Sequence, residues 1–188
     1  MKKVILLACL MFVGVAKATV ISLDVSDTNP VVGDTVSVSI NLSDVSDDFA
    51  SFFSGIEFDA SVFQYVEGSV NTDFPLFDDV TFSGLDVDTT LASSGSLFFN
   101  LFEDIFVPET YSMGDFLVAS FDLVAVSAGN STLALLDTVL FAAGSFDEIE
   151  PDNGVTSVSA NVVGVAAPSV FVLLSVAGLA LFGFRRKA

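Results

Sequence analysis

The chain has 188 residues, 24 of them Asp or Glu and only 6 Lys or Arg, with no His, for a formal net charge of −18. Every acidic residue lies between Asp24 and Asp152, a stretch that contains no cation. Such a polyanion repels phosphate backbones, which excludes nucleic acid as a partner, while 52% hydrophobic residues and 20 Phe exclude disorder.

The N-terminus reads as an export signal. Lys2 and Lys3 form a cationic start, residues 4–16 are an apolar run, and Ala16-Lys17-Ala18 is an A-x-A cleavage site. Residues 1–18 are therefore expected to be a secretory signal peptide, cut after Ala18 so that Thr19 opens the mature chain. Cys9 is the only cysteine and leaves with that signal, so the mature protein has no thiol and no disulfide.

The body, residues 19–163, reads as strands. Residues 35–42, Thr-Val-Ser-Val-Ser-Ile-Asn-Leu, alternate polar and apolar without a break, the period of a half-buried strand. Residues 19–25 form another, and the Asp, Asn, Pro and Gly residues between the two are turn formers. Further runs are predicted over 52–58, 63–66, 80–85, 96–102, 116–126, 132–140 and 155–163. In the run 96–102, Leu97, Phe99 and Leu101 share one face, and Phe98, Asn100 and Phe102 the other, a composition expected for a strand buried on both sides. Many short strands separated by Gly, Asp, Ser and Pro, with no long amphipathic helix, indicate an all-β antiparallel sandwich.

Chemistry is sparse in this body. Without His, Cys, Lys, Arg or Trp, a nucleophilic triad has no base and a zinc site has only carboxylates. The chain is not expected to be an enzyme, and no cofactor is expected. Calcium, which takes hard oxygen ligands, is the one metal with candidate residues: Asp44, Asp47 and Asp48 in one cluster, Asp147, Glu148, Glu150 and Asp152 in another. Neither has the spacing of an EF-hand loop, and solvated acidic loops are the simpler reading.

The C-terminal stretch, residues 164–188, closes the chain. Residues 169–184 carry no charge and are followed by Arg185, Arg186 and Lys187. As a helix that run is ~24 Å long, a short membrane span. Pro168 suits its first turn, and the basic tail 185–187 stays on the cytoplasmic side. All six cations thus sit at the two tips, where they hold back from translocation, and everything between is exported.

The arrangement of signal peptide, exported domain, Pro-containing motif, short apolar helix and terminal basic cluster resembles PEP-CTERM proteins of Gram-negative bacteria. Their motif is Val-Pro-Glu-Pro-Ser. The matching stretch here is Val165-Ala166-Ala167-Pro168-Ser169, with Ala166 and Ala167 in place of Pro and Glu. The resemblance implies recognition by an exosortase, an integral-membrane protease that removes the helix, and release or attachment at the surface.

The body resembles cohesin-like domains. Residues 32–38 are like the family's opening strand. Residues 54–59 followed by Ser61-Val62-Phe63 are like its Phe-x-Tyr-Asp-Pro segment, with Ala60 where Pro is usual. Residues 116–123 and 128–133 are like its late hairpin. This likeness implies a jelly-roll β-sandwich of eight or nine strands and a binding or structural role, docking a dockerin. The expected function is a non-catalytic surface or extracellular-matrix protein, anchored first in the inner membrane and sorted through its C-terminal signal. The expected partners are the membrane, an exosortase-type protease, and an exopolysaccharide or dockerin-like protein ligand. The alternative is an uncleaved single-pass anchored adhesin or a calcium-dependent binding ectodomain.

The charge distribution has a measurable consequence. No ion pair can form within the body, so its surface repulsion opposes compaction and is screened over roughly 8–10 Å at physiological ionic strength. Thermal unfolding of the exported chain should move to higher temperature in about 0.5 M salt than in dilute buffer. A melting temperature indifferent to salt would contradict a repulsion-strained fold.

Overall fold

The computed structural model describes residues 19–164 except 46, 103–109, 113 and 146. The signal peptide with Ala16 and Ala18, the motif from Val165 to Ser169, the apolar run 169–184 and the basic residues Arg185, Arg186 and Lys187 lie outside the described residues.

The strands are β1 (Val20–Val25), β2 (Thr35–Val45), β3 (Phe49–Glu57), β4 (Phe63–Tyr65), β5 (Gly84–Asp88), β6 (Ser96–Phe102), β7 (Gly114–Ala125), β8 (Gly129–Leu135), β9 (Val139–Ala142), β10 (Glu148–Ile149), β11 (Asp152–Asn153) and β12 (Ser157–Val162). They form an all-β sandwich. One sheet has the order β11-β1-β2-β7-β4. In the other, β5 and β6 lead to β3, whose far edge is shared: residues 49–53 pair with β9, and Ile56 and Glu57 with β8. Beyond these lie β10 and β12.

The alternation read in the sequence does fix burial. In β2, Val36, Val38, Ile40 and Leu42 are buried while Thr35 and Ser37 face water. In β6, Leu97, Phe99 and Leu101 enter the core. The opposite face departs from expectation: Phe98 and Asn100 are only half-buried and Phe102 is 46% exposed, because no layer of the described residues covers that side of the sheet. At one end the core is aromatic. The Phe49 ring lies 5.6 Å from Phe116, 5.4 Å from Tyr111 and 6.2 Å from Phe74, mostly edge to face, the geometry that ring quadrupoles favour.

Two predicted strands are corrected. The run 80–85 is mostly turn: the Asp78 carboxylate accepts from the Val80 N–H at 2.8 Å and the Asp78 carbonyl from the Phe82 N–H at 2.8 Å, so β5 starts only at Gly84. The run 132–140 is broken over residues 136–138 into β8 and β9. The run 155–163 is found as β12, while β10 and β11 are two-residue strands too short for any periodicity to announce. Nine strands remain if β8 and β9 are read as one interrupted strand and those two short ones are set aside.

The sheets are antiparallel except where the chain's two ends meet. Asp152 N–H donates to the Thr19 carbonyl at 2.7 Å, Gly154 N–H to Ile21 at 2.9 Å, Asn161 N–H to Thr28 at 2.8 Å and Val163 N–H to Pro30 at 2.8 Å. Residues 152–163 thus run parallel to residues 19–30. Thr19 and Gly164 consequently lie at opposite poles of the sandwich.

Two residues expose the fold's tolerances. Gly95 has φ +90°, and a Cβ there would sit 2.0 Å from the Phe58 carbonyl oxygen, where Phe58 N–H already donates to Gly95. Gly95→Ala combines a left-handed conformation, costing about 1–2 kcal/mol, with a backbone clash. It is expected to lower the melting temperature by at least ~4 °C. Phe49→Ala should cost ~3–5 kcal/mol. Thermal melts of both variants check this, and an unchanged Gly95→Ala protein would mean that the β3–β6 connection differs from the one described.

Candidate functional site

The uncovered face of the second sheet is the feature that stands out. Period-two alternation sends Phe98 and Phe102 of β6 and Phe53 of β3 to the solvent side. Phe53 and Phe98 stack with ring centroids 6.0 Å apart and planes at 23°. Phe98 also covers Gly55, where an added Cβ would come within 2.9 Å of its ring. Phe102 meets Phe77 edge to face at 5.7 Å.

Phe77 belongs to the long connection from β4 to β5, which continues the apolar surface. Leu76 is bridged to Leu85 of β5 and is 64% exposed. The Asp78 turn lifts Val80 and Phe82 to 83% and 69% exposure. Phe82 has φ +54°, a left-handed conformation uncommon for a bulky side chain. Backbone strain that displays an aromatic ring to water is a feature of recognition sites more than of folding. The strip is bordered by Asp86 of β5 and Glu57 of β3, so it offers aromatic contact with acidic margins and no cation.

Two concavities flank the sheets. A crevice of about 520 Å³ opens at the break between β8 and β9, lined by Leu136, Asp137, Thr138, Glu150 and Pro151 among others. Thr138 turns inward there, its hydroxyl 2.9 Å from that of buried Ser54. A shallower groove of about 350 Å³ has Gln64, Tyr65, Glu67 and Thr90 on its walls. Partial burial pushes the Tyr65 hydroxyl above the usual phenol range. Neither concavity pairs a nucleophile with a base, and the body has no side chain that could act as one outside its carboxylates.

The acidic candidates fall at one pole. Asp44 lies at a bulge of β2 with φ +53°, its N–H donating to the Asp115 carboxylate at 3.0 Å. Asp47 and Asp48 precede β3, and the Asp48 carbonyl accepts from Ala143 at 3.0 Å. Asp147, whose carbonyl accepts from Ala142, and Glu148 stand beside β9. Glu150 lines the crevice, and Asp152 pairs with the start of β1. The two sequence clusters are thus brought to the same end of the sandwich. Among the described residues, no three carboxylates converge on a point that could hold a metal ion.

Elsewhere, acidic side chains serve as turn acceptors. Ser61 donates through its hydroxyl at 2.6 Å and its N–H at 2.8 Å to Asp59, and these bonds hold the Asp59 carboxyl below the usual range. Thr90 does the same for Asp88, through its side chain and its N–H.

No protein-family model matches the sequence, and no curated protein matches it. Solved structures do match. CaCohA2 from Clostridium acetobutylicum is 23% identical, with 80% of this chain and 95% of that one covered at a TM-score of 0.58. The sixth cohesin of scaffoldin B from Acetivibrio cellulolyticus, solved in complex with a Cel5 dockerin, is 15% identical over 78% of this chain and all of its own, 100%, at 0.59. The cohesin module of a family 33 glycoside hydrolase from Clostridium perfringens is 12% identical over 80% and 100%, at 0.55. At these identities the likeness is one of fold: the described body is a cohesin-like β-sandwich.

Proposed function

We propose that this protein is an exported, non-catalytic binding module whose uncovered sheet face docks a protein of dockerin type. The observation that carries the reading is a pair of aromatic contacts on the solvent side of the sheet, Phe53 with Phe98 and Phe102 with Phe77, together with the exposed Phe82. Contiguous exposed apolar surface marks interaction sites, and aromatic anchors dominate their energetics. That a cohesin of the same fold was solved with a dockerin bound lends the partner class its support. The body's only ionisable acids and bases besides its tyrosines are carboxylates, and neither concavity sets one beside a nucleophile, which supports binding over catalysis.

The second part of the proposal concerns placement. The signal peptide and the tripartite C-terminal segment put the body outside the inner membrane, held at first by residues 169–184 and then processed by an exosortase-type protease at the stretch around Pro168. The uncut, anchored form is the competing reading, favoured by Ala166 and Ala167, which stand where the sorting motif has Pro and Glu.

Docking is tested by titrating the purified protein with dockerin modules in a calorimeter. Phe53→Ala with Phe102→Ala should weaken binding by ~2 kcal/mol or more; both rings are more than half covered, at 38% and 46% exposed, so the melting temperature should fall as well and the titration is run well below it. Phe82→Gly is the sharper variant: it removes the ring and relieves a left-handed backbone, so stability should hold or rise while affinity falls. Undiminished affinity in both would exclude this face. Processing is read from the intact mass of the mature protein, which should lack the segment after the motif. Changing Arg185, Arg186 and Lys187 together to Ser should impair both retention and processing.

A further inference from the structure

On one side of the sandwich the two sheets are tied together by backbone hydrogen bonds, where β12 meets residues 28–30. On the other side they end in the edge strands β4 and β5, and the groove of about 350 Å³ lies there. That volume is at the lower end of small-molecule sites, ~300–1,000 Å³. Its walls come from both sheets. Gln64 and Tyr65 belong to β4, Glu67 to the turn after it, Thr89 follows β5, and Ser93 lies in the single 3₁₀ turn Ala92–Ser94 that leads into β6. Gln64, Glu67, Thr89 and Ser93 are exposed, and Tyr65 is half-buried. The Tyr65 ring is braced from the core side by Phe121, edge to face at 6.3 Å, and its hydroxyl is hydrogen-bonded at Gly68 and Ser69. It is therefore a fixed aromatic wall beside an amide, a carboxylate and two hydroxyls.

The chemistry of these walls selects the ligand. With no cation in the body, phosphates and carboxylates are repelled. Glu67 is the only carboxylate in the lining, too few hard ligands for a metal ion. An apolar ligand would leave the amide and hydroxyls without partners. A neutral polyhydroxylated molecule satisfies all of them: sugar hydroxyls donate and accept, Glu67 accepts, the Gln64 amide does both, and so do the Thr89 and Ser93 hydroxyls. A pyranose also presents a face of positively polarised C–H bonds, which the negative face of an aromatic ring attracts. We infer that this groove binds a neutral hexose glycan, with Tyr65 against one sugar ring and Gln64 and Glu67 on its hydroxyls. Its place at the edge of the sandwich lets a polysaccharide chain run past in both directions. The larger crevice at the β8–β9 break has no aromatic wall, and its Thr138 hydroxyl is already engaged by Ser54. None of Phe53, Phe77, Phe82, Phe98 and Phe102 lines the groove, so the site does not depend on the docking proposed for that face.

The test is affinity electrophoresis of the full chain, in a zwitterionic detergent that carries no sugar. The native gels contain a neutral β-glucan, xyloglucan or galactomannan, or alginate as the acidic control, and migration is measured against polymer-free gels. At least one neutral polymer should slow the protein, and alginate should not. Gln64→Ala with Glu67→Gln changes only exposed side chains and should raise the apparent dissociation constant about tenfold or more. Tyr65→Phe should keep binding and Tyr65→Ala should lose it. The chain has no Trp and only two Tyr, so in a Tyr111→Phe background the emission of Tyr65 reports on the groove and should change as the polymer is added. Retardation that the Gln64 and Glu67 changes leave intact, or that falls with Phe53→Ala and Phe102→Ala instead, would overturn the site. Slowing by alginate alone would overturn the ligand class. Migration indifferent to all three neutral polymers would overturn the inference outright, while the dockerin titration still judges the exposed face on its own.

Discussion

No side chain between Thr19 and Gly164 carries a positive charge, and the rest of the structure answers to that constraint. Carboxylates that would ordinarily meet Lys or Arg must be satisfied by neutral donors. Ser37 donates its hydroxyl across the sheet to Asp122 at 2.6 Å, Asn41 its side-chain amide to Asp24 at 3.0 Å, and Leu117 its backbone N–H to Asp73 at 2.7 Å. Hydrogen bonds to a charged acceptor are stronger than neutral ones and need no counter-charge. The Thr, Ser and Asn residues on the outward positions of β2, Thr35, Ser37, Ser39, Asn41 and Ser43, are the sequence-level trace of this arrangement.

Cohesion must then come from apolar burial, and the Phe content supplies it. Each buried Phe contributes on the order of 1.5–3 kcal/mol, and Phe49, Phe63, Phe99 and Phe121 are essentially inaccessible to water. Phe99 and Phe121 face each other from opposite sheets at 5.8 Å, joining the two layers directly. The parallel pairing of residues 19–30 with 152–163 completes the enclosure. Among the described residues it is the pairing of greatest sequence separation, so it closes only when both segments are present. That places strong demands on the terminal strands, and Ile21, Leu23, Ala160 and Val162 are accordingly buried.

Much of this was legible because alternation in a half-buried strand leaves little freedom: β1, β2, β6 and β7 lie close to where the period places them. The failures have identifiable causes. Leu135-Leu136 puts two apolar residues in succession, and buried positions pass from odd, Leu133, to even, Leu140, across the break. That phase change was the signal of an interrupted strand, and Asp137-Thr138 are the polar residues that mark the break itself. The run 80–85 misleads for the opposite reason. Val80 and Phe82 have strand propensity, yet the Asp78 turn projects them outward, and only Leu85 of that run joins the core. The aromatic face was half visible. The pattern Phe98-x-x-x-Phe102 showed which residues share a side, while local periodicity contains no information on whether another layer covers that side. Pairing of β5, β6, β3 and β9 into one open face is a property of the whole topology.

The same reasoning separates the acidic residues by role. An Asp with Ser or Thr two positions later, as in Asp59-x-Ser61 and Asp88-x-Thr90, closes a turn, and its lowered pKa follows from the hydroxyl and amide that point at it. The sign is determinate: such a group favours the folded state above its unfolded pKa, and that contribution is lost as the pH falls through the folded value. Asp147 and Glu148, by contrast, are exposed before and at the start of β10, at a pole where, among the described residues, like charges accumulate without converging on a metal. Clustering in sequence therefore carries two different meanings in this chain. Where a hydroxyl or a backbone N–H points at it, as at Asp59, Asp88, Asp78 and Asp73, a carboxylate builds the fold. Where none does, it charges a surface, and the location of that surface, remote from the point at which the chain leaves the sandwich, gives the molecule an axis that its composition alone does not contain.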